Sequence, residues 1–105
     1  MTLSLHYQVL RNARALIEEP TRWTRGVLGR AASGRPIMWH DEEACRWCAL
    51  GAINRAAYDL VGDKEQAEGI ADEVIASCFP PNLSWINDKN GHAAVLKLFS
   101  DALAT

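Results

Sequence analysis

Residues 42–54 read EEACRWCALGAIN. Two cysteines stand there as C-x-x-C, with Trp47 between them and Gly51 three positions after the second. The stretch reads as a metal clasp, a reactive thiol site or the packed middle of a helix, and the choice decides both fold and chemistry. At 100° per residue, Cys45, Ala49, Ala52, Ile53, Ala56 and Leu60 share one broad apolar face, with Arg55 and Asp59 opposite. Asp41 is a good N-cap, and Glu42 and Glu43 put negative charge in the first turn, where the helix dipole favours it. Gly62 supplies a stop. The spacing therefore predicts a helix from Asp41 to Gly62 with both thiols inside it. Gly51 and Ala52 let a neighbouring backbone approach closely, and Trp47 shares a second face with Gly51 and Tyr58.

Three chemical readings compete with this one. A structural zinc site needs four ligands, commonly two C-x-x-C pairs or one pair plus two spaced histidines. Only one pair exists, and His40, Cys78 and His92 do not stand at matching spacing. A thioredoxin-like site places its first cysteine at a helix N-terminus after a strand. With Asp41 as cap, Cys45 already lies a turn inside. A cysteine hydrolase is the third: Cys48, Asn87, Asp88 and His92 supply the residue types in a permissible order. It stays open as an alternative centred on Cys48 and His92, without a strained turn to present the thiol. The reading adopted is that small, apolar cysteines fill a helix contact, with no catalytic residue, metal ligand or cofactor assigned.

Working outward, residues 4–18 form an amphipathic helix with Leu3, Val9, Leu10, Ala13, Leu16 and Ile17 on one side. Ser4 or Thr2 caps it, and Pro20 stops it. Residues 21–40 break the period. Gly26, Gly29, Gly34 and Pro36 crowd together, and WTRGVL and PIMWH flank RAASG, which predicts a β-hairpin or an irregular extended insert. Asp63 with Gln66 resembles a capping box. It opens a helix whose stripe is Ala67, Ile70, Ala71, Val74, Ile75 and Cys78, and Pro80–Pro81 ends it. NLSWINDKNG reads as a turn-rich connector with Leu83, Trp85 and Ile86 tucked beneath. Asn90 then caps a closing helix with Ala94 or Val95, Leu98, Phe99, Ala102 and Leu103 inward. The expected fold is mainly α: one domain, 1–105, a small four-helix bundle with its insert at about 21–40, and the second and third helices antiparallel.

The totals agree with one soluble domain. The chain has 105 residues, 49% hydrophobic and 23% charged, enough for a single core. No apolar run approaches the roughly 20 residues of a membrane span, and MTLSLHYQVLRNAR has no secretory pattern. Three cysteines argue against a disulfide scaffold, so a bacterial cytoplasm is the expected compartment. Four tryptophans are many for this length and are expected mostly in the core. Net charge is −2 but uneven: residues 1–55 carry eight Arg against five acids, residues 56–105 three Lys against eight acids. Two halves attracting each other explain that split, as does a phosphate-binding surface built from Arg11, Arg14, Arg22, Arg25, Arg30 and Arg35. No recognition helix or interleaved aromatic motif supports nucleic acid. NDKNGH lacks the glutamate and spacing of a calcium loop, and reads as a turn and cap.

The order of elements also carries a resemblance. Trp23, then Cys48, Gly51, Ala52 and Ile53 as C-x-x-G-A-[LI], then Asn87–Asp88, then Val95, Leu96, Phe99 and Ala102 as V-L-x-x-[LF]-x-x-A resembles a family of small bacterial and phage proteins of unknown function. Gly91 departs from it, standing where a threonine cap is expected. The resemblance spans nearly the whole chain and implies a single domain with no known activity, substrate or cofactor. The functional expectation is a non-enzymatic interaction or regulatory protein. Its partner contact is placed on Arg22, Trp23, Arg25, Arg30, Arg35 and Trp39, because loops on a rigid scaffold often hold function. The occupant is expected to be a protein, with nucleic acid or another anion as the alternative, no membrane, and a homodimer allowed.

Overall fold

The structure, a computed structural model, describes residues 4–105. Its helices are α1 (Leu5–Leu16), α2 (Ala49–Val61), α3 (Lys64–Cys78), α4 (Leu83–Asn90) and α5 (His92–Leu103). A 3-10 turn, Pro20–Arg22, follows α1. Two short strands, β1 (Gly29–Arg30) and β2 (Arg46–Trp47), pair antiparallel. The fold is thus mainly α with one small β element, as the sequence predicts.

Several local signals act as read. The Ser4 hydroxyl accepts from the Tyr7 N–H at 3.1 Å and caps α1; Thr2 and Leu3 lie outside the described residues. Asp63 accepts from the Gln66 N–H at 2.9 Å and caps α3, and α2 ends at Gly62. The core is the meeting of apolar stripes: Val9, Ala13 and Ile17 from α1 and the following turn, Ile53 and Ala56 from α2, Val74 from α3, Val95 and Phe99 from α5. Ala52, Ala56 and Ala57 of α2 and Ala67 and Ala71 of α3 are all buried. Such small side chains let the two helices pack toward the near end of the 8–10 Å range of interaxial distances.

Two elements differ from expectation. The supposed connector after Pro80–Pro81 contains α4, so there are five helices instead of four. Two turns are too few to show a 3.6-residue period, and its largest side chain, Trp85, is 57% exposed instead of tucked under. Asn90 closes α4 instead of capping α5. Gly91 joins the two helices at φ 93°, ψ −176°, a backbone state that side chains resist. Its N–H reaches Ile86 O and its carbonyl accepts from Val95 N, which accounts for glycine at that position.

The second difference falls on the opening stretch. α2 starts at Ala49 with Cys48 as N-cap, so Asp41 is no cap and residues 42–47 are not helical. Asp41 instead closes a local turn, its carboxylate accepting from the Glu43 N–H at 2.8 Å. Cys45 leaves the helix face, and Leu60, at its far end, is 38% exposed. The excursion between α1 and α2 therefore runs to Cys48, beyond the expected limit of 40. Its strand partners also change. β1 pairs with β2 in register Gly29↔Trp47 and Arg30↔Arg46, while the 36–40 segment adds one bridge, Arg30↔Pro36. Trp23 bridges Trp47 on the other side, with the Thr24 N–H on Trp47 O at 3.1 Å.

Candidate functional site

Two polar side chains of the bundle fasten the excursion: Arg55 on α2, which donates to Trp39 O at 3.3 Å and Asp41 O at 2.9 Å, and Asn87 on α4. Asn87 is 1% exposed, the one buried polar side chain among the described residues. Its Oδ1 accepts from Trp23 Nε1 at 2.8 Å and from the Ala49 N–H at 3.0 Å. Its Nδ2 donates to Thr24 O at 3.1 Å and to Asp88 Oδ1 at 3.0 Å. Both acceptor positions and both N–H groups of the amide are used, the full capacity of an Asn side chain. Asp88 continues the clip, accepting the Gly26 N–H at 3.0 Å. Those two donors, the Asn87 amide first, hold the Asp88 carboxyl below the usual carboxylate range.

The same network caps α2. A helix start leaves four N–H groups without partners; Asn87 takes that of Ala49, and the Cys48 sulfur accepts that of Gly51 at 3.4 Å. Gly51 is required by proximity, since a Cβ there would lie 1.9 Å from Leu28 O. The C-x-x-G-A pattern is thus a cap followed by a seat for the excursion's backbone. Asn87 is the residue whose structural role the composition did not signal; the sequence singled it out only as a member of a possible hydrolase set and of the Asn87–Asp88 pair.

This geometry changes the reasons for setting the thiol chemistries aside. Cys48 does stand at a helix N-terminus after a strand, where a dipole lowers a thiol pKa. Burial outweighs that: its pKa is raised, chiefly by desolvation, with the Asp88 charge adding to the rise against the Gly51 and Leu50 N–H groups. Cys45 and Cys48 are separated by extended chain, about 10 Å at the rise of a strand, beyond the roughly 7 Å limit for a disulfide. His92 is occupied elsewhere. Its Nε2 donates to Ile17 O at 2.6 Å and its ring leans on Trp23 with centroids 5.5 Å apart. All three cysteines are free, and among the described residues no three His, Cys, Asp or Glu side chains gather as a metal site.

The six residues expected at a partner surface divide by location. Trp23 is held by Asn87, and Arg25 lies over its ring at 5.0 Å. Trp39 is buried, edge-on to Tyr58 at 6.0 Å, and its carbonyl accepts Trp47 Nε1 at 3.0 Å. Arg22 stacks on Trp47 from 5.8 Å, and Arg55 lies over the same ring at 5.4 Å. Arg30 turns inward, donating to Thr24 Oγ1, Gly34 O and Arg25 O. Arg35 stays outside, 3.7 Å from Glu43.

Arg35 also borders a groove of about 600 Å³ whose floor and walls include Val27, Leu28, Ile37, Met38 and Trp39. Leu28 is 41% and Met38 54% exposed. Sequence reading missed these two apolar residues, because isolated pairs in a Gly- and Pro-rich stretch carry no period. Val27 and Leu28 also border a smaller cleft of about 110 Å³ beside Cys48, Leu50, Ser84 and Asp88. No described helix is long and apolar enough to cross a membrane.

No curated protein and no solved structure matches the chain. A family model does, over residues 1–105, and with it the chain belongs to the family of unknown function DUF6197.

Proposed function

We propose that the protein is a non-enzymatic binding module that docks a protein partner on the excursion, in the groove edged by Leu28 and Met38. The observation that carries this reading is the combination of an apolar groove of about 600 Å³ with two large, exposed apolar side chains on its border. Exposed apolar surface of this kind, bordered by charges such as Arg35 and Asp41, marks interaction sites. The groove is preformed, because Asn87, Gly51 and the Trp39–Trp47 pair fix the segments that build it, and a fixed surface loses little entropy on binding. In this reading Trp23, Arg22 and Arg30 hold the surface from behind, while Arg35 and the edge of Trp39 face the partner. Three unpaired thiols suit a reducing compartment.

The test is affinity capture with the full chain as bait, repeated with Met38→Asp and Leu28→Asp. A protein retained by the wild type and lost from both variants, with their folds intact by circular dichroism, supports the reading. Equal retention by all three baits contradicts it.

A further inference from the structure

Separately from the docking groove, we propose that the excursion holds a phosphate group between Arg30 and Arg46. These two residues stand directly opposite each other on β1 and β2. Side chains at such a pair share one face of the ladder, with Cβ atoms about 4.5–5.5 Å apart. The other face carries Gly29 and Trp47, both buried, so Arg30 and Arg46 rise from the face turned away from the bundle. Like charges directly opposed are destabilising. Both residues are half-buried, where solvent screens the repulsion less. No carboxylate compensates it: among the described residues the arginines in ion pairs are Arg14, Arg35 and Arg55. The acids nearest in sequence point elsewhere. Asp41 accepts the Glu43 N–H, Glu43 faces Arg35 at 3.7 Å, and Glu42 is exposed without an ion pair among the described residues.

The donors are partly set in place. Arg30 gives Nε to Thr24 Oγ1 at 2.7 Å, Nη1 to Gly34 O and Nη2 to Arg25 O. A guanidinium has five N–H groups, so each Arg30 terminal nitrogen keeps one. The Arg46 side chain forms no hydrogen bond, ion pair or ring contact among the described residues. Thr24 Oγ1 accepts from Arg30 and keeps its O–H to donate. Two cations and a hydroxyl suit a phosphate dianion, whose oxygens match the planar guanidinium forks. A carboxylate offers one charge and two oxygens. A nucleic-acid backbone spreads single charges along its length and calls for a line of cations, whereas Arg22 and Arg25 lie against the rings of Trp47 and Trp23. The ligand class is therefore a terminal phosphate, as free phosphate or as a small phosphomonoester.

The test is an amide NMR titration of the full chain with inorganic phosphate, with glycerol 3-phosphate and with acetate, all at one ionic strength. It is run on wild type, Arg46→Gln and Arg35→Gln. Arg46→Gln removes a side chain that holds nothing in place, so the fold is not at stake; Arg35→Gln removes the same charge elsewhere on the excursion. Both phosphates should move the Thr24, Arg30 and Arg46 amides saturably, and acetate should not. Arg46→Gln should weaken binding about tenfold, the effect of one charge-assisted bond, and Arg35→Gln less than about twofold. Phosphate should also raise the melting temperature of wild type and not that of Arg46→Gln. The tighter of the two phosphates identifies the source as the free ion or the ester.

Equal shifts with acetate, equal weakening by both variants, or no saturable shift with either phosphate would overturn the site. A single-stranded oligonucleotide that binds more tightly than glycerol 3-phosphate, and loses affinity in Arg22→Gln and Arg25→Gln, makes nucleic acid the ligand and overturns it as well. None of these outcomes bears on the groove at Leu28 and Met38.

Discussion

The bundle and the excursion are held by different forces. In the bundle, α1, α2, α3 and α5 share many small apolar contacts, so that no single side chain carries the whole interface. In the excursion, residues 23–48 have little regular structure of their own, and β1 and β2 contribute two residues each. Their position rests on Asn87, on the seat at Gly51 and on Trp39 and Trp47. Apolar packing is distributed and tolerant, whereas a buried polar network is concentrated and fails when one member goes. The groove proposed for the partner belongs to the concentrated part.

The comparison can be broken at both ends. Phe99→Ala removes a fully buried ring that packs edge-on against Phe79. It should cost about 3–5 kcal/mol and lower the stability of the whole chain, read as a shift of the urea midpoint with one cooperative transition. Asn87→Ala leaves Ala49 N–H, Trp23 Nε1 and Thr24 O without their partners. At about 1–3 kcal/mol for each buried group, and with water reclaiming part, the loss should be about 3 kcal/mol and fall first on the excursion.

Glycine substitutions sharpen the contrast. Gly51→Ala forces Leu28 O away from α2 and should destabilise by about 1–3 kcal/mol, as overpacking does. Gly69→Ala, on the exposed side of α3 with nothing within 4 Å of the added Cβ, should stabilise by about 0.5–1 kcal/mol. Thermal melts of the pair should therefore move in opposite directions.

The titratable groups of the clip give a pH test of the same difference. The Asp88 carboxyl is depressed, so its contribution is present above the unfolded pKa, about 3.9, and is lost as pH falls through the lower folded value. The Cys48 thiol is raised from 9.0, so its contribution is present below the unfolded pKa and is lost as pH rises toward the folded value. Stability measured against pH should fall in strong acid less steeply for Asp88→Asn, and in strong alkali less steeply for Cys48→Ser. Native-state labelling should reach Cys48 more slowly than Cys45 or Cys78, which are less buried. Fast labelling of Cys48 would reopen the hydrolase reading.

The same division explains how much was legible from the residues. Stripes such as Ala67, Ala71 and Val74, and signals such as Ser4, Asp63 and Gly62, are local, and the bundle helices follow them. The start of α2 was not legible. Asp41, Glu42 and Glu43 form as good a helix opening as any, and only the tertiary pairing of Arg46–Trp47 with Gly29–Arg30 overrides it. Cys48 is an unusual cap, and it shares the helix start with Asn87, which stands 38 residues from the Ala49 whose N–H it accepts. The groove was hidden for a related reason: Leu28 and Met38 become neighbours of one surface only once that clip has closed.

Native-state hydrogen exchange on wild type and Asn87→Ala tests the central claim most directly. The amides of Thr24, Ala31, Ile37 and Cys45 bond within the excursion, and those inside α3 and α5 do not depend on it. The account predicts that the first group loses protection in Asn87→Ala while the second keeps it. Equal loss in both groups, or retained protection at Ala31 and Cys45, would contradict it.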